Sequence, residues 1–377
     1  MTALVEALKQ LPCRKGVWDK WPGFPDKRSE GFAYVSLKRL TGKNDFTHTP
    51  PLLHYETPSS IVVLPLREGM QRYRPVLEKR FASLMRSESD PLRLLNHAAS
   101  QEGLFIYVPD GIRIETPLEI VHTVRAQDRV PAVQPRFEIF LGKGSRFATL
   151  IRTRSEGGSF WSNGLINVSV EEGADYSHYD EAERSPEGWD FFAVQGEVRS
   201  AGTVRLFLSG RGARVQRRDV SLSLAGEGAR VELKGLSLLE EKTEGHLCVR
   251  IEHDAPHTLS DQLFKGVLFD RTRSGFEGTV VVGKGARKTE AYQLCRHLIL
   301  DSESAAFSRP RLQVFTDDVR ATHGATVAKP TPGELFYLRT RGLSASEAQA
   351  HLVRGFIREL PPFFRHEPAS RTVRDDG

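Results

Sequence analysis

Cysteine is scarce in this 377-residue chain: Cys13, Cys248 and Cys295 are an odd number, far apart, with no CxxC pair. That excludes a disulfide framework and sets the expectation of a reducing, cytoplasmic compartment. No apolar run approaches the ~20 residues that a membrane helix needs, so no membrane partner is expected. The opening stretch, Met1–Arg14, lacks the basic and apolar regions and the cleavage site of an export signal. Catalytic signatures are missing as well: there is no GxxxxGK(S/T) phosphate loop, no GxSxG elbow and no HExxH. Charge of one sign is also lacking. The 53 basic side chains against 48 acidic ones leave +5, too little for a strong field unless clustered, so nucleic acid is not indicated. Hydrophobic residues at 39% and charged ones at 27% are those of an ordinary globular protein, which excludes disorder and fibrous structure.

What is present divides the chain in three: a mostly helical part over 1–104, a β-rich core over 105–327 and a helical end over 328–377. Leu4, Ala7, Leu8 and Leu11 stand at helical spacing and Pro12 ends that segment. Ile61–Leu66 is a short apolar strand. Tyr73, Val76, Leu77, Phe81 and Leu84 predict a helix over 71–85, and Leu92–Ala99 predicts another. From Phe105 onward, short alternating runs such as Val204–Leu208, Val220–Leu224, Val231–Lys234 and Gly278–Val282 predict strands. A weak repeat underlies them: a Gly followed by a small residue recurs at Gly144, Gly173, Gly202, Gly228 and Gly285, with a degenerate copy at Ala255-Pro256. A repeat of under ~30 residues built from strands and turns suggests stacked coils, with a β-sandwich as the competing architecture. At the end, Thr331-Pro332-Gly333-Glu334 and Ser344-Ala345-Ser346-Glu347 are capping boxes. The second opens a helix carrying Ala348, Leu352, Phe356 and Leu360 that Pro361-Pro362 is expected to stop. This helical hairpin is expected to cap an open β-end or to offer a partner surface.

Candidate chemistry is concentrated late in the chain. Asp317-Asp318, followed by His323, is the densest polar group. On a strand, Asp317, Val319, Ala321 and His323 share one face, and carboxylates with an imidazole suit a metal or proton transfer. A polar strand edge and turn accounts for the same residues. Cys295 and His297 share a face of the strand Ala291–Leu300, although two ligands alone make no metal site. His246, Cys248, His253 and His257 are of the right types, but strand alternation aims them variably. The basic run Arg211, Arg214, Arg217 and Arg218 lacks interleaved aromatics, so a solvated face or a protein interface is expected there.

Pro310–Val319, Thr322–Val327, Glu334–Leu343 and the spacing to Gly355-Phe356 and Glu359 together resemble the SufB/SufD family of the SUF iron–sulfur cluster assembly system, in particular its SufD-type members. Weaker matches lie at Leu95-Asn96, Gly103–Pro109, Pro117–Ile120 and Gln293 with Leu298-Ile299. Pro25, Lys27, Glu30, Tyr34 and Leu37 near the start are similar too. The resemblance implies a right-handed parallel β-helix flanked by N-terminal and C-terminal helical subdomains. It implies a non-catalytic scaffold that pairs with SufB through the β-helix end and docks the ATPase SufC through the C-terminal helices. For docking it points to Glu334, Leu335, Phe336, Tyr337, Arg341, Gly342, Leu352 and Phe356. It implies no tightly bound cofactor, and a transient iron or Fe–S cluster at the subunit interface with His323 as a ligand. Asp317, Asp318, Cys295 and His297 are the further candidates. Ala321 stands where many relatives have Cys, so a thiolate is lost there. Cys295 and His297 stand where the family often has Asn, so either amide bracing is absent or a replacement ligand pair has appeared. No set of core cysteines of the SufB type is present. An exposed β-edge leaves homodimer formation open when the partner is missing. The alternative is a β-helix enzyme, such as a polysaccharide lyase or an acyltransferase, against which the missing export signal and the helical hairpin weigh.

Overall fold

The computed structural model describes residues 20–25, 32, 46–100, 102–125 and 129–366. The expected helix around Leu4–Leu11, the positions Lys27, Glu30, Tyr34 and Leu37, and the charged tail from 367 lie outside them.

Strands β1 (Phe46–His48), β2 (Leu52–Tyr55) and β3 (Val62–Pro65) precede helices α1 (Leu66–Arg72), α2 (Arg74–Ser87) and α3 (Pro91–Ala99). The stripe expected as one helix over 71–85 is broken at Tyr73. Pro75 has no N–H to donate and its ring would clash with a preceding carbonyl, so a new helix starts there. Tyr73 stacks instead on Phe105, with ring centres 4.5 Å apart. Helix α3 is capped by Asp90, whose Oδ1 accepts the N–H groups of Leu92 and Arg93 at 2.9 and 3.0 Å.

The β core then runs through β4 (Gly103–Val108), β5 (Leu118–Arg125), β6 (Val130–Val133), β7 (Arg136–Leu141), β8 (Arg146–Glu156), β9 (Trp161–Val170) and β10 (Asp175–Glu183). It continues through β11 (Trp189–Val198), β12 (Thr203–Arg211), β13 (Val215–Leu224), β14 (Arg230–Leu239), β15 (Glu244–His253) and β16 (Leu259–Leu268). The last strands are β17 (Arg273–Val282), β18 (Thr289–Ile299), β19 (Ala305–Val314) and β20 (Val319–Ala328). Odd strands from β7 to β19 pair in one parallel sheet and even strands from β8 to β20 in another, so each coil supplies one strand to each sheet. The result is a parallel β-solenoid of about eight turns, not a sandwich. At its N-terminal end both sheets finish in an antiparallel strand, β2 on β5 and β3 on β4. One apolar core runs through the interior from Ile61 to Cys295.

The repeat in the sequence marks one corner of the coil. Gly111, Gly144, Gly173, Ala201, Gly228, His257 and Lys288 all have φ between 54° and 70°. They stack in a column. Each donates its N–H to a carbonyl of the following coil, on Lys143, Glu172, Ser200, Glu227, Pro256, Arg287 and Asp318 in turn, at 2.6–3.1 Å. The next residue turns toward the core: Ile112 is half-buried in the first coil, and from the second coil on the residue is small, with Ser145, Ala174, Ala229, Thr258 and Thr289 all buried. Gly202 and Gly285 are not in the column, contrary to expectation; Ala201 and Lys288 are. Gly202 is itself the small buried neighbour of Ala201. The left-handed corner tolerates a side chain at a cost of about 1–2 kcal/mol, whereas beyond the first coil the buried neighbour stays small.

Of the basic run, Arg214 is exposed as expected, but Arg217 and Arg218 are buried. Arg218 points into the solenoid between Asp180 and Asp190, at 2.7 and 2.8 Å. Arg217, on the opposite face of the strand, pairs with Asp219 at 2.9 Å and lies over the ring of Phe32. Arg211 holds Glu240 at 2.9 Å.

Both C-terminal capping boxes form, opening α4 (Pro332–Thr340) and α5 (Ala345–Ile357). Gly342, at φ 90°, separates them. Helix α5 stops at Ile357, before Pro361. Its inward stripe is Ala348, Val353 and Ile357, continued by Leu360 and Phe364. Val353, Ile357, Leu360 and Phe364 pack with Phe207, Leu236, Leu263 and Leu298 on the outer flank of the even-strand sheet. Lys265 fastens the segment, its Nζ donating to Glu359 at 2.7 Å and to the Phe356 carbonyl at 2.5 Å. The hairpin therefore lies along the side of the solenoid and does not cap its end. Helix α4 buries no residue.

Candidate functional site at the open end of the solenoid

The last coil is built from β19 and β20, and among the described residues neither has a further strand beyond it. Side chains that would face a next coil face outward instead. Phe307, Val314, Phe315 and Val327 are 39–58% exposed. Strand parity sends Val319, Ala321, His323, Ala325 and Val327 to the same side as Thr289, Ala291, Gln293, Cys295 and His297 one rung below. His323 thus continues a polar column over Gln293, which donates to Gln262 at 2.9 Å. His323 itself is exposed. Asp317 and Asp318 are exposed in the turn between β19 and β20, where the Asp318 carbonyl receives the last N–H of the corner column. An imidazole, two carboxylates and four large apolar side chains share this terminal coil.

The candidates separate into two groups. Cys295 and His297 are buried within the coil below, and their register partners are Ala325 and Val327, not His323. Cys295 Sγ lies 3.8 Å from His297 Nδ1. Ser274 Oγ is 2.8 Å from His297 Nε2, and Ser308 Oγ is 3.7 Å from the sulfur and 3.4 Å from Nδ1. Burial pushes the thiol up to about 12 and the imidazole down to about 4, so both are neutral at neutral pH. The two serines come from the other sheet, and no local spacing announces them.

A narrow cavity, with about 30 Å³ of water-sized space, runs from this pair back toward Gln216 and Arg218. Beside it lies a buried quartet: Asp190 also accepts from Arg184 at 2.9 Å, and Asp180 completes the group. His122 and His178, both held near pKa 3, are close to these arginines; burial is the main cause and the guanidinium charge the lesser one. The quartet is not among the residues expected from the sequence. Its signal is a charge in phase with an apolar face, as Asp190 is with Phe192 and Val194, and Arg218 with Val220 and Leu222.

The other histidines do not converge. His253 faces the corner and is hydrogen-bonded to Thr258 and Ser260 at 2.8 and 2.9 Å, while His257 occupies the left-handed column. Among the described residues, no three His, Cys, Asp or Glu side chains are grouped to hold a metal.

On the hairpin, Phe336 and Tyr337 are 69% and 58% exposed, and the Arg341 guanidinium lies 5.2 Å from the Tyr337 ring. Glu334 closes its capping box on Thr331, which holds its carboxyl below the usual range. Leu335 and Leu352 are half-buried. Phe356 packs back on the solenoid beneath Lys265, with the ammonium 4.8 Å from its ring. No helix among the described residues is long and apolar enough to cross a membrane.

Residues 122–356 match the family model described as SUF system FeS cluster assembly, SufBD core domain, and residues 36–120 match that of the SufBD protein N-terminal region. An iron–sulfur cluster assembly SufBD family protein of Synechocystis is 24% identical over 277 residues, 71% of this chain and 61% of the relative. Protein ABCI7, chloroplastic, of Arabidopsis thaliana is 26% identical over 304 residues, 75% of this chain and 60% of the relative. The iron–sulfur cluster assembly protein SufD of Escherichia coli K12 is 25% identical over 285 residues, 74% of this chain and 67% of the relative. The chain thus spans about six tenths of the length of the first two. With the core model covering more than half of its residues, and the parallel solenoid formed, the chain belongs to the SufB/SufD family of iron–sulfur cluster assembly proteins.

Proposed function

We propose that the chain is a non-catalytic scaffold subunit of a cytoplasmic SUF complex. Its open solenoid end takes a SufB-type subunit, and its C-terminal helices take a SufC-type ATPase. Iron or a nascent Fe–S cluster is cargo at the junction, with His323 and the carboxylates of Asp317 and Asp318 as donors from this side and no cofactor resident. The supporting observation is the last coil, where Phe307, Val314, Phe315 and Val327 are exposed on the same two strands and turn that carry the imidazole. Large exposed apolar side chains in one coil, with polar groups beside them, are the make-up of a protein interface. Exposed Phe336 and Tyr337 on α4, a helix that buries no residue and lies chiefly against α5, support the second docking surface.

Co-purification with the SufB-type and SufC-type proteins of the same organism tests this. Phe315→Asp with Val327→Asp is expected to weaken the SufB-type contact by about 2–4 kcal/mol, roughly 30–1000-fold, since buried aromatic anchors dominate such interfaces. Phe336→Ala with Tyr337→Ala should release only the ATPase. These substitutions suit the test better than deleting the hairpin, because Ile357 and Leu360 are part of the packed flank. His323→Ala should leave the complex whole and lower its yield of assembled cluster. Unchanged association in the Phe315/Val327 variant would remove the end from the proposal. For the chain alone, the same variant should abolish any homodimer seen by sedimentation.

A further inference from the structure

We propose that Cys295, His297 and Ser308 form a site for one borderline divalent transition-metal cation, of the Zn²⁺ or Fe²⁺ class, one rung inside the open end. The three ligand atoms make a triangle with edges of 3.8 Å from sulfur to Nδ1, 3.4 Å from Nδ1 to Oγ and 3.7 Å from Oγ to sulfur. Metal bonds of about 2.3 Å to sulfur and about 2.0–2.2 Å to nitrogen and oxygen, at angles between tetrahedral and trigonal, require edges of roughly 3.3–3.9 Å. All three edges fall in that range. As a hydrogen bond the Nδ1–Oγ contact is long, and the two sulfur contacts are weak because a thiol is a poor donor and acceptor. Three ligands around a common centre describe the geometry better than a hydrogen-bonded chain does.

The surroundings fit the same reading. Ser274 Oγ, 2.8 Å from His297 Nε2, can accept that N–H and leave the Nδ1 lone pair facing the sulfur. This is the outer contact that usually orients a metal-binding imidazole. A sulfur beside an imidazole selects against Mg²⁺ and Ca²⁺, which take oxygen sets, and favours Zn²⁺, Fe²⁺ and Co²⁺. The fourth position faces the cavity, which has about 30 Å³ of space, enough for one water. Access is short, because Ser308 lies on the terminal strand β19 and only Ala325 and Val327 stand over the pair in register. On binding, the Sγ–metal bond forms as the thiol proton passes to solvent, with no change of oxidation state. The site does not depend on the end of the coil being a partner surface.

Anaerobic titration of the full chain with Co²⁺ reads it directly. One equivalent should produce a thiolate-to-cobalt charge-transfer band and the visible d–d bands of a four-coordinate ion. Cys295→Ser should abolish the charge-transfer band. Ser274→Ala should weaken binding about 10–100-fold by freeing the imidazole. The Cys13→Ser/Cys248→Ser double variant and His323→Ala should both keep the full spectrum. The last control separates this site from the cargo residues at the end, whose own test is association and cluster yield. His297→Gln provides a second reading should Cys295→Ser fail to fold; it should weaken binding and alter the d–d bands. A wild-type spectrum without the thiolate band, its survival in Cys295→Ser, or its loss in the double variant or in His323→Ala overturns the proposal.

Discussion

Replacing Arg218 with leucine is expected to destabilise the chain by about 3–5 kcal/mol, the usual cost of leaving buried charge without its partner. The side chain is 8% exposed and those of Asp180 and Asp190 are each 1% exposed, so water cannot take over the lost bonds. Two arginines and two aspartates balance in the quartet. With Arg218 gone, Asp190 keeps Arg184, but Asp180 loses its ion-pair partner at 2.7 Å. Burial already pushes the Asp180 carboxyl upward, so in the variant it takes a proton and recovers part of the loss. Adding Asp180→Asn to Arg218→Leu should therefore restore stability, by at least half of the first effect. Urea midpoints of the two variants measure this. A loss below about 1 kcal/mol in Arg218→Leu would show that the quartet is open to solvent.

Acid is expected to unfold the chain steeply between pH 6.5 and about 4. His122 and His178 are held near pKa 3, and His253 and His297 near 4, in each case mainly because burial disfavours the imidazolium. A depressed folded pKa means that the unfolded chain binds protons first as pH falls. The stability is fully present above the unfolded value of 6.5 and is lost downward through the window. Each such histidine contributes up to about 1.4 kcal/mol per pH unit. Asp219 works the other way: burial raises it to about 6, so its contribution is full below the ordinary carboxylate value of 3.8 and is lost as pH rises to 6. Four histidines outweigh it. Denaturant midpoints measured from pH 7.5 to 4.5 should fall continuously, and less so in His178→Gln. A flat profile would sink the claim that these imidazoles are buried and neutral.

The coil architecture was half legible in the sequence, and the reason is steric. At Gly144, Gly173 and Gly228 the left-handed corner and the small neighbour coincide in a visible dipeptide. At Ala201, His257 and Lys288 the corner accepts ordinary residues, and only the buried neighbour keeps its size limit. The period then blurs by one to three positions. The capping boxes at Thr331 and Ser344 were fully legible because their partners are three residues away. The arginine run was not, since the acids that Arg218 needs come from β10 and β11, whole coils earlier. Cys295 and His297 could be put on one face by strand parity alone. Ser274 and Ser308 belong to the opposite sheet, so the triangle emerges only when the coils are stacked. The flank position of α5 had no local signal either; its apolar stripe says that it is buried, not against what.

That flank position has a mechanical consequence. The residues under the C-terminal segment, Tyr179, Phe207, Leu236, Leu263 and Leu298, belong to successive even strands from β10 to β18. At about 4.8 Å per strand the footprint extends ~19 Å along the solenoid. A pull on the hairpin is thus shared among several coils in shear rather than peeling one strand at a time. The corner column, bonded without a break from Gly111 to Asp318, resists stretching along the same axis. Force applied at the side would be carried along a stiff rod to its terminal coil, and strain would gather where the bonding stops, at β19 and β20.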